Sequence, residues 1–188
     1  MNKFQKFCGH LRTVQKHRKM VRKLCFKCGL YWQGLTHDLS KYSPIEFWRG
    51  VKYYTGKASP HVSERVECGY SEAWIHHHNR NKHHAEYWWD IVDGKAQPIK
   101  MPFKYLAEMV CDRVAASKIY LGDKYDDSAP LFYYVNHKDE NRYHEETREE
   151  LAEWLLTLEL YGLKKTLKQI KMQLEMVNGY KKIFKESK

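Results

Sequence analysis

Apolar residues along this chain recur mostly every three to four positions, the spacing of one face of a helix. Phe7, Leu11, Val14, Val21, Leu24 and Cys28 fall on such a stripe. They predict a first helix from about Lys3 to Cys28, stopped by Gly29 as a C-cap. Ser43-Pro44-Ile45-Glu46 opens a second helix. Ser43 and Glu46 match a capping box, and Pro44 suits the first helical position because its missing N–H is not needed there. Ser59-Pro60 opens a third by the same logic, expected to reach about His78. Asp93-Gly94 marks a turn, with a possible small hairpin between residues 90 and 100. A fourth helix opens at Pro102 and ends before Gly122, and a short one follows Pro130. Leu151, Trp154, Leu155 and Leu158 form the stripe of a helix from Glu145 to Tyr161. Leu167, Ile170, Leu174 and Val177 form that of a last helix, about Lys164 to Phe184, with lysines on its other side. No convincing run of β-alternation interrupts the series. The expected fold class is all-α: a single-domain helical bundle with short connections.

Composition narrows the setting. The chain has 188 residues, 43% of them hydrophobic, which suits one domain with a sizeable core. Its five cysteines are odd in number and scattered, so a disulfide scaffold is not expected, and a reducing, cytoplasmic location fits better. No N-terminal stretch is apolar enough for a signal peptide or membrane span. The net charge of +10 is unevenly placed. Residues 1–37 carry nine Lys or Arg and no acid, residues 164–188 carry eight Lys and two Glu, and the middle is acidic and rich in histidine. Basic ends fit solvated helix faces. They also fit a field that attracts an anionic partner: a nucleotide, a nucleic acid or a phosphorylated metabolite.

The chemistry starts at His37-Asp38. An imidazole and a carboxylate on adjacent residues can reach one cation if the backbone is irregular there, and together they suit Zn, Fe, Mn and similar ions. His17 lies three residues after Val14 and four before Val21, so it points inward with them. Tyr105, Met109, Asp112, Ala116 and Ile119 share a face of the fourth helix, on which Asp112 reads as the only charge. A buried carboxylate is costly unless it is paired, hydrogen-bonded or bound to metal. Five of the eleven histidines fall within residues 76–84: His76, His77, His78, His83 and His84. His77 continues the Tyr70-Ala73 helix face, whereas His78 is rotated by about 100° and is expected to face solvent. His83 and His84 follow the predicted helix end, where the chain can turn back. Cys25 and Cys28 form a CxxC without a second pair. They are expected to pack in the core, unjoined and without metal.

The order His17, His37-Asp38, Asp112 resembles the metal-binding signature of the HD superfamily, whose members are mostly metal-dependent phosphohydrolases. His77 with His83 or His84 looks like the extra pair of dinuclear members. His37-Asp38-Leu39-Ser40-Lys41-Tyr42-Ser43-Pro44 is similar to the stretch in HD phosphodiesterases where a Gly-Lys pair follows His-Asp; Ser40 departs from that Gly. The chain up to about Leu158 also resembles a small bacterial and phage family catalogued as domain of unknown function number five-six-six-two. Gly34 to Lys41, Asn81 to Trp88 and Cys111 to Lys118 carry that resemblance. The HD likeness implies one domain over residues 1–188, with a metal-binding core at about 10–122 and C-terminal helices at 145–185 packed on it. It implies one or two divalent transition-metal ions (Fe, Mn, Zn, Co or Ni), with Asp38 bridging. It further implies hydrolysis of a nucleotide-like phosphoester, with Asp38 and Lys41 catalytic and Lys41, Arg80 and Lys118 binding substrate. A mixed-valent diiron oxygenase of HD type is one alternative. A basic module that binds nucleic acid or a host partner is the other.

Overall fold

α1 (Lys3–Lys27) is the first element of the computed structural model, which describes residues 1–137 and 142–186, with side chains through Gly179. Residues 138–141, 187 and 188 of the expected single domain lie outside the described residues. α1 opens on a capping box: Asn2 accepts from the Gln5 N–H at 2.9 Å, and Gln5 accepts from the Asn2 N–H at 3.0 Å. It closes where Gly29 takes φ +80°, a left-handed conformation that glycine adopts without strain. A short helix that the apolar pattern does not announce follows, α2 (Tyr31–Thr36). It lies tight on α1, because a Cβ at Gly34 would sit 3.0 Å from the Cβ of Cys25.

α3 (Pro44–Lys52) starts at Ser43 as expected, and the Ser43 hydroxyl accepts from the Glu46 N–H. The reciprocal half of the capping box is absent, because the Glu46 carboxylate turns inward to His76 and His77. The single helix expected over residues 59–78 is two, α4 (Pro60–Cys68) and α5 (Glu72–His78). Gly69 has φ +78°, which a right-handed helix cannot continue, and Ser71 caps the new helix by accepting from the Trp74 N–H at 3.0 Å. The break lets α5 take its own direction and carry His77 to a buried position.

The hairpin forms around Asp93-Gly94. β1 (Trp89–Val92) pairs antiparallel with β2 (Lys95–Pro98), Val92 opposite Lys95, and both turn residues have positive φ, as a tight two-residue hairpin requires. α6 (Phe103–Leu121) and α7 (Ala129–Asn136) follow. α8 (Glu145–Glu186) contains a break at Gly162, φ 76° and ψ 161°, between the two helices expected there. Leu163 N–H, freed by that break, donates to Asp127 Oδ2 at 2.9 Å.

The fold is thus mostly helical, with eight α-helices and one hairpin among the described residues. Its core joins α1, α6 and α8 through Val21, Leu24, Leu106, Val110, Leu155 and Ile170. Each Leu or Ile so buried contributes roughly 1.5–3 kcal/mol of transfer free energy. Cys25, Cys28 and Cys111 are free thiols in this core. No helix among the described residues is long and apolar enough to cross a membrane. Packing α1 directly against α6 is what brings residue 17 beside residue 112, so that the His17 imidazole meets the Asp112 carboxylate at that contact.

Candidate metal centre

Adjacent side chains on a regular helix diverge by about 100°. His37 and Asp38 escape that rule because α2 ends at Thr36. His37 is extended, at φ −47° and ψ 125°, and Asp38 is left-handed, at φ 53° and ψ 28°. Asp tolerates this region better than most residues. A 3-10 turn over Leu39–Tyr42 then carries the chain away. Arg18 fixes the bend from outside by donating to the His37 carbonyl at 2.7 Å. Both side chains consequently point into the same buried spot: His37 is 2% exposed and Asp38 0%.

Two more helices complete a first ligand set. His17 on α1 brings Nε2 to 2.8 Å from Oδ1 of Asp112 on α6. His37 Nε2 is 3.5 Å from Asp38 Oδ2, 3.5 Å from Asp112 Oδ1 and 3.4 Å from His17 Nε2. Asp38 Oδ2 lies 3.7 Å from His17 Nε2. Transition-metal ions take N and O ligands at about 2.0–2.2 Å, which spaces the ligand atoms about 2.9–3.6 Å apart. The chain's own side chains match such a polyhedron closely.

A second set meets the other oxygen of Asp38. His77 Nε2 stands 3.2 Å from Asp38 Oδ1, and His83 Nε2 stands 3.4 Å from it. His84 packs its ring 4.2 Å from that of His83 and 4.8 Å from that of His77, centroid to centroid. Its ligand atom falls within 4.8 Å of those of Asp38, His77 and His83. The Nε2 atoms of His83 and His84 are buried without a hydrogen-bond partner, as is Asp38 Oδ1. Buried polar groups of this kind are rare unless something fills the gap.

Carboxylates behind the rings decide which nitrogen faces inward. Glu46 accepts from His77 Nδ1 at 2.7 Å, and Glu108 takes His37 Nδ1 at 2.9 Å and His83 Nδ1 at 3.2 Å. A neutral imidazole has one N–H, so an acceptor at Nδ1 leaves a lone pair on Nε2. Lone pairs then face the Asp38 carboxylate, an arrangement that calls for a proton or a cation between them.

The charges show how the chain copes by itself. Burial works against a charged His37, but Asp38, Asp112 and Glu108 outweigh it and hold its pKa well above the usual value. Burial likewise opposes charge on His77, and Asp38 and Glu46 raise its pKa nonetheless. Burial would raise the Asp38 carboxyl; His37, Lys41 and His77 hold it well below the usual range. Asp112 is lowered similarly, against its burial, by hydrogen bonds from His17 and His37. Burial, aided by His83 and His77, keeps His84 neutral by lowering its pKa well below the usual value.

The structure thus brings His17, His37, Asp38, His77, His83, His84 and Asp112 together. Lys41 joins them, with Nζ 2.8 Å from Asp38 Oδ2 and its side chain 26% exposed. Arg80 is exposed and donates back to the His76 carbonyl. Lys118 places its ammonium 3.9 Å above the Tyr125 ring. Neither forms an ion pair or hydrogen bond to the clustered ligands among the described residues. His76 turns Nδ1 to Glu46 at 2.6 Å. His78 does not face solvent as expected: it is half-buried, its ring 5.9 Å from that of Trp74 one turn earlier on α5 and its Nδ1 enclosed, because the Glu86 and Arg142 side chains stand close to it. Sequence reasoning misses Glu108 and Glu46. Glu108 lies four residues before Asp112, hence on the same helix face, so Asp112 is not the only charge there. That spacing is the signal that could have found it.

Comparison with known proteins points to a family. The model of a family of unknown function, DUF5662, covers residues 6–157, a span that includes every clustered ligand. No curated protein matches the chain, and no solved structure does.

Proposed function

The chain belongs to DUF5662, and on that premise we propose that it is an HD-type, metal-dependent phosphohydrolase acting on a nucleotide-like phosphoester. One observation carries the reading: the two oxygens of the buried Asp38 carboxylate each face a different set of imidazole nitrogens, within 3.2–3.7 Å. Bridging carboxylates in dinuclear centres have this arrangement. His17, His37, Asp38 and Asp112 would hold one divalent ion, and Asp38 with His77, His83 and His84 a second. Such ions lower the pKa of bound water and neutralise phosphoryl charge.

The remaining work falls to the chain. Asp38 stays a ligand, because its oxygens are taken by the two sets. Asp112 has a 19% exposed side chain, so besides its place in the first set it would orient the attacking water and take up its proton once a bound ion has acidified that water. Lys41, partly exposed beside Asp38, supplies a positive charge to a phosphate oxygen. The chain's +10 charge favours encounter with an anionic substrate.

Metal analysis of purified protein comes first, followed by phosphate release from nucleoside monophosphates and p-nitrophenol release from bis(p-nitrophenyl) phosphate. One or two ions per chain are expected. Asp112→Asn is expected to lower turnover by roughly 10²-fold or more, the scale of a lost general base. A protein that carries its ions and hydrolyses none of these esters refutes the reaction. An iron centre with a mixed-valent paramagnetic signal would redirect the reading to oxygen chemistry.

A further inference from the structure

Glu108 is 5% exposed and sits in the middle of α6; with His37 and His83 it forms a third group of potential ligands, but it meets both rings at Nδ1, the nitrogens turned away from Asp38. One of its oxygens, Oε1, meets two rings that belong to different ligand sets. It lies 2.9 Å from His37 Nδ1 and 3.2 Å from His83 Nδ1. The two rings are neighbours, 4.4 Å between centroids and tilted by 35°. Beyond them the Nε2 atoms separate: that of His37 faces Asp38 Oδ2 and Asp112, and that of His83 faces Asp38 Oδ1.

We propose that Glu108 is a positioning residue for both ligand sets at once, so that neither set binds its ion at full affinity without it. The proposal rests on the dinuclear reading above. Its physical basis is tautomer control. Each neutral ring has one N–H, and the ring binds a cation only if that hydrogen is on the far nitrogen. The Glu108 carboxylate draws both hydrogens to Nδ1, fixes both ring planes, and makes both Nε2 atoms better donors. α6 also carries Asp112 one turn later, so clamp and ligand share one rigid helix. Glu46 provides the contrast: it takes Nδ1 of His77, a second-set ring, and of His76, which is outside both sets.

The test is a titration of metal-free, full-length protein with Zn²⁺, followed by calorimetry and by direct metal counting. Wild type is expected to bind two ions. Glu108→Leu is expected to weaken both steps by roughly 10–100-fold, the usual loss when a partner behind a ligand is removed. Glu108→Gln keeps an oxygen that can accept from both rings, so its losses should be smaller at both steps. Glu46→Leu should weaken one step only. Thermal unfolding of the metal-free variants separates a folding defect from a binding defect. If Glu108→Leu fails to fold, Glu108→Gln decides: loss at both steps supports the proposal, and loss at one or neither overturns it. Two wild-type ions with one or no step changed in folded Glu108→Leu refutes the positioning role alone. A wild type that binds fewer than two ions refutes the dinuclear reading, and this proposal falls with it.

Discussion

Asp38→Ala is expected to remove ion binding at both ligand sets and to destabilise the metal-free protein by about 3–5 kcal/mol, the usual cost of deleting one member of a buried ion pair. The carboxylate is the member common to the two sets, so its loss takes a donor from each. It is also the counter-charge of a fully buried His37 and of Lys41. A backbone effect adds to this, because residue 38 is left-handed and Ala adopts that region less readily than Asp. Asp38→Asn keeps the shape and the tolerance for positive φ while removing the charge. It should also lose its ions, yet fold better than the Ala variant. Metal counting and urea unfolding of the two variants check this; Asp38→Ala with wild-type ion content would remove Asp38 from the centre altogether.

Saturating ions should raise the melting temperature, and by more at pH 8 than at pH 6. An excess of 1,000 times the dissociation constant stabilises the folded state by about 4 kcal/mol per site, or about 8–16 °C for a chain of this size. The pH dependence follows from the shifts. His37 and His77 have raised pKa values in the metal-free fold. Their contribution to metal-free stability is therefore full below the unfolded value of about 6.5 and is lost as pH rises through their folded values. Asp38 and Asp112 are depressed. Their contribution is present above the unfolded value of about 3.9 and is lost as pH falls through their folded values. These four groups together favour the metal-free fold at about pH 4–6.5, whereas His17 and His84, whose pKa values burial lowers, favour it above about pH 6.5. Ions need His37 and His77 deprotonated, so their apparent affinity climbs with pH. Melting curves with zinc and with chelator at both pH values measure the difference. A larger gain at pH 6 would show that proton displacement from these rings does not control binding.

Helix ends with strong local chemistry are legible in the sequence. Ser43-Pro44 sets the start of α3, and Gly29 and Gly122 close α1 and α6 with positive φ. His17 and Asp112 are legible as well, because a polar group in phase with an apolar stripe must point inward. Gly69 does not announce itself as a break, since a glycine inside a helical pattern reads the same whether its φ is negative or positive. α2 is too short for a periodic signal. Glu46 looks like half of a capping box, and only tertiary packing turns its side chain toward α5. Glu108 and His78 expose the same limit: phase predicts inside or outside, but not which neighbour stands there.

The ligands come from α1, the bend after α2, α5, the loop beyond it and α6, and they span residues 17 to 112. No short fragment holds more than a part of them. Contacts between such distant stretches of chain have a high loop-closure cost and are completed late in folding. An ion gripped by them therefore has little to hold in the folding transition state and much to hold in the finished molecule. Its influence would fall on the rate of escape from the native state, so that bound metal would lengthen the lifetime of the folded chain without hastening its formation.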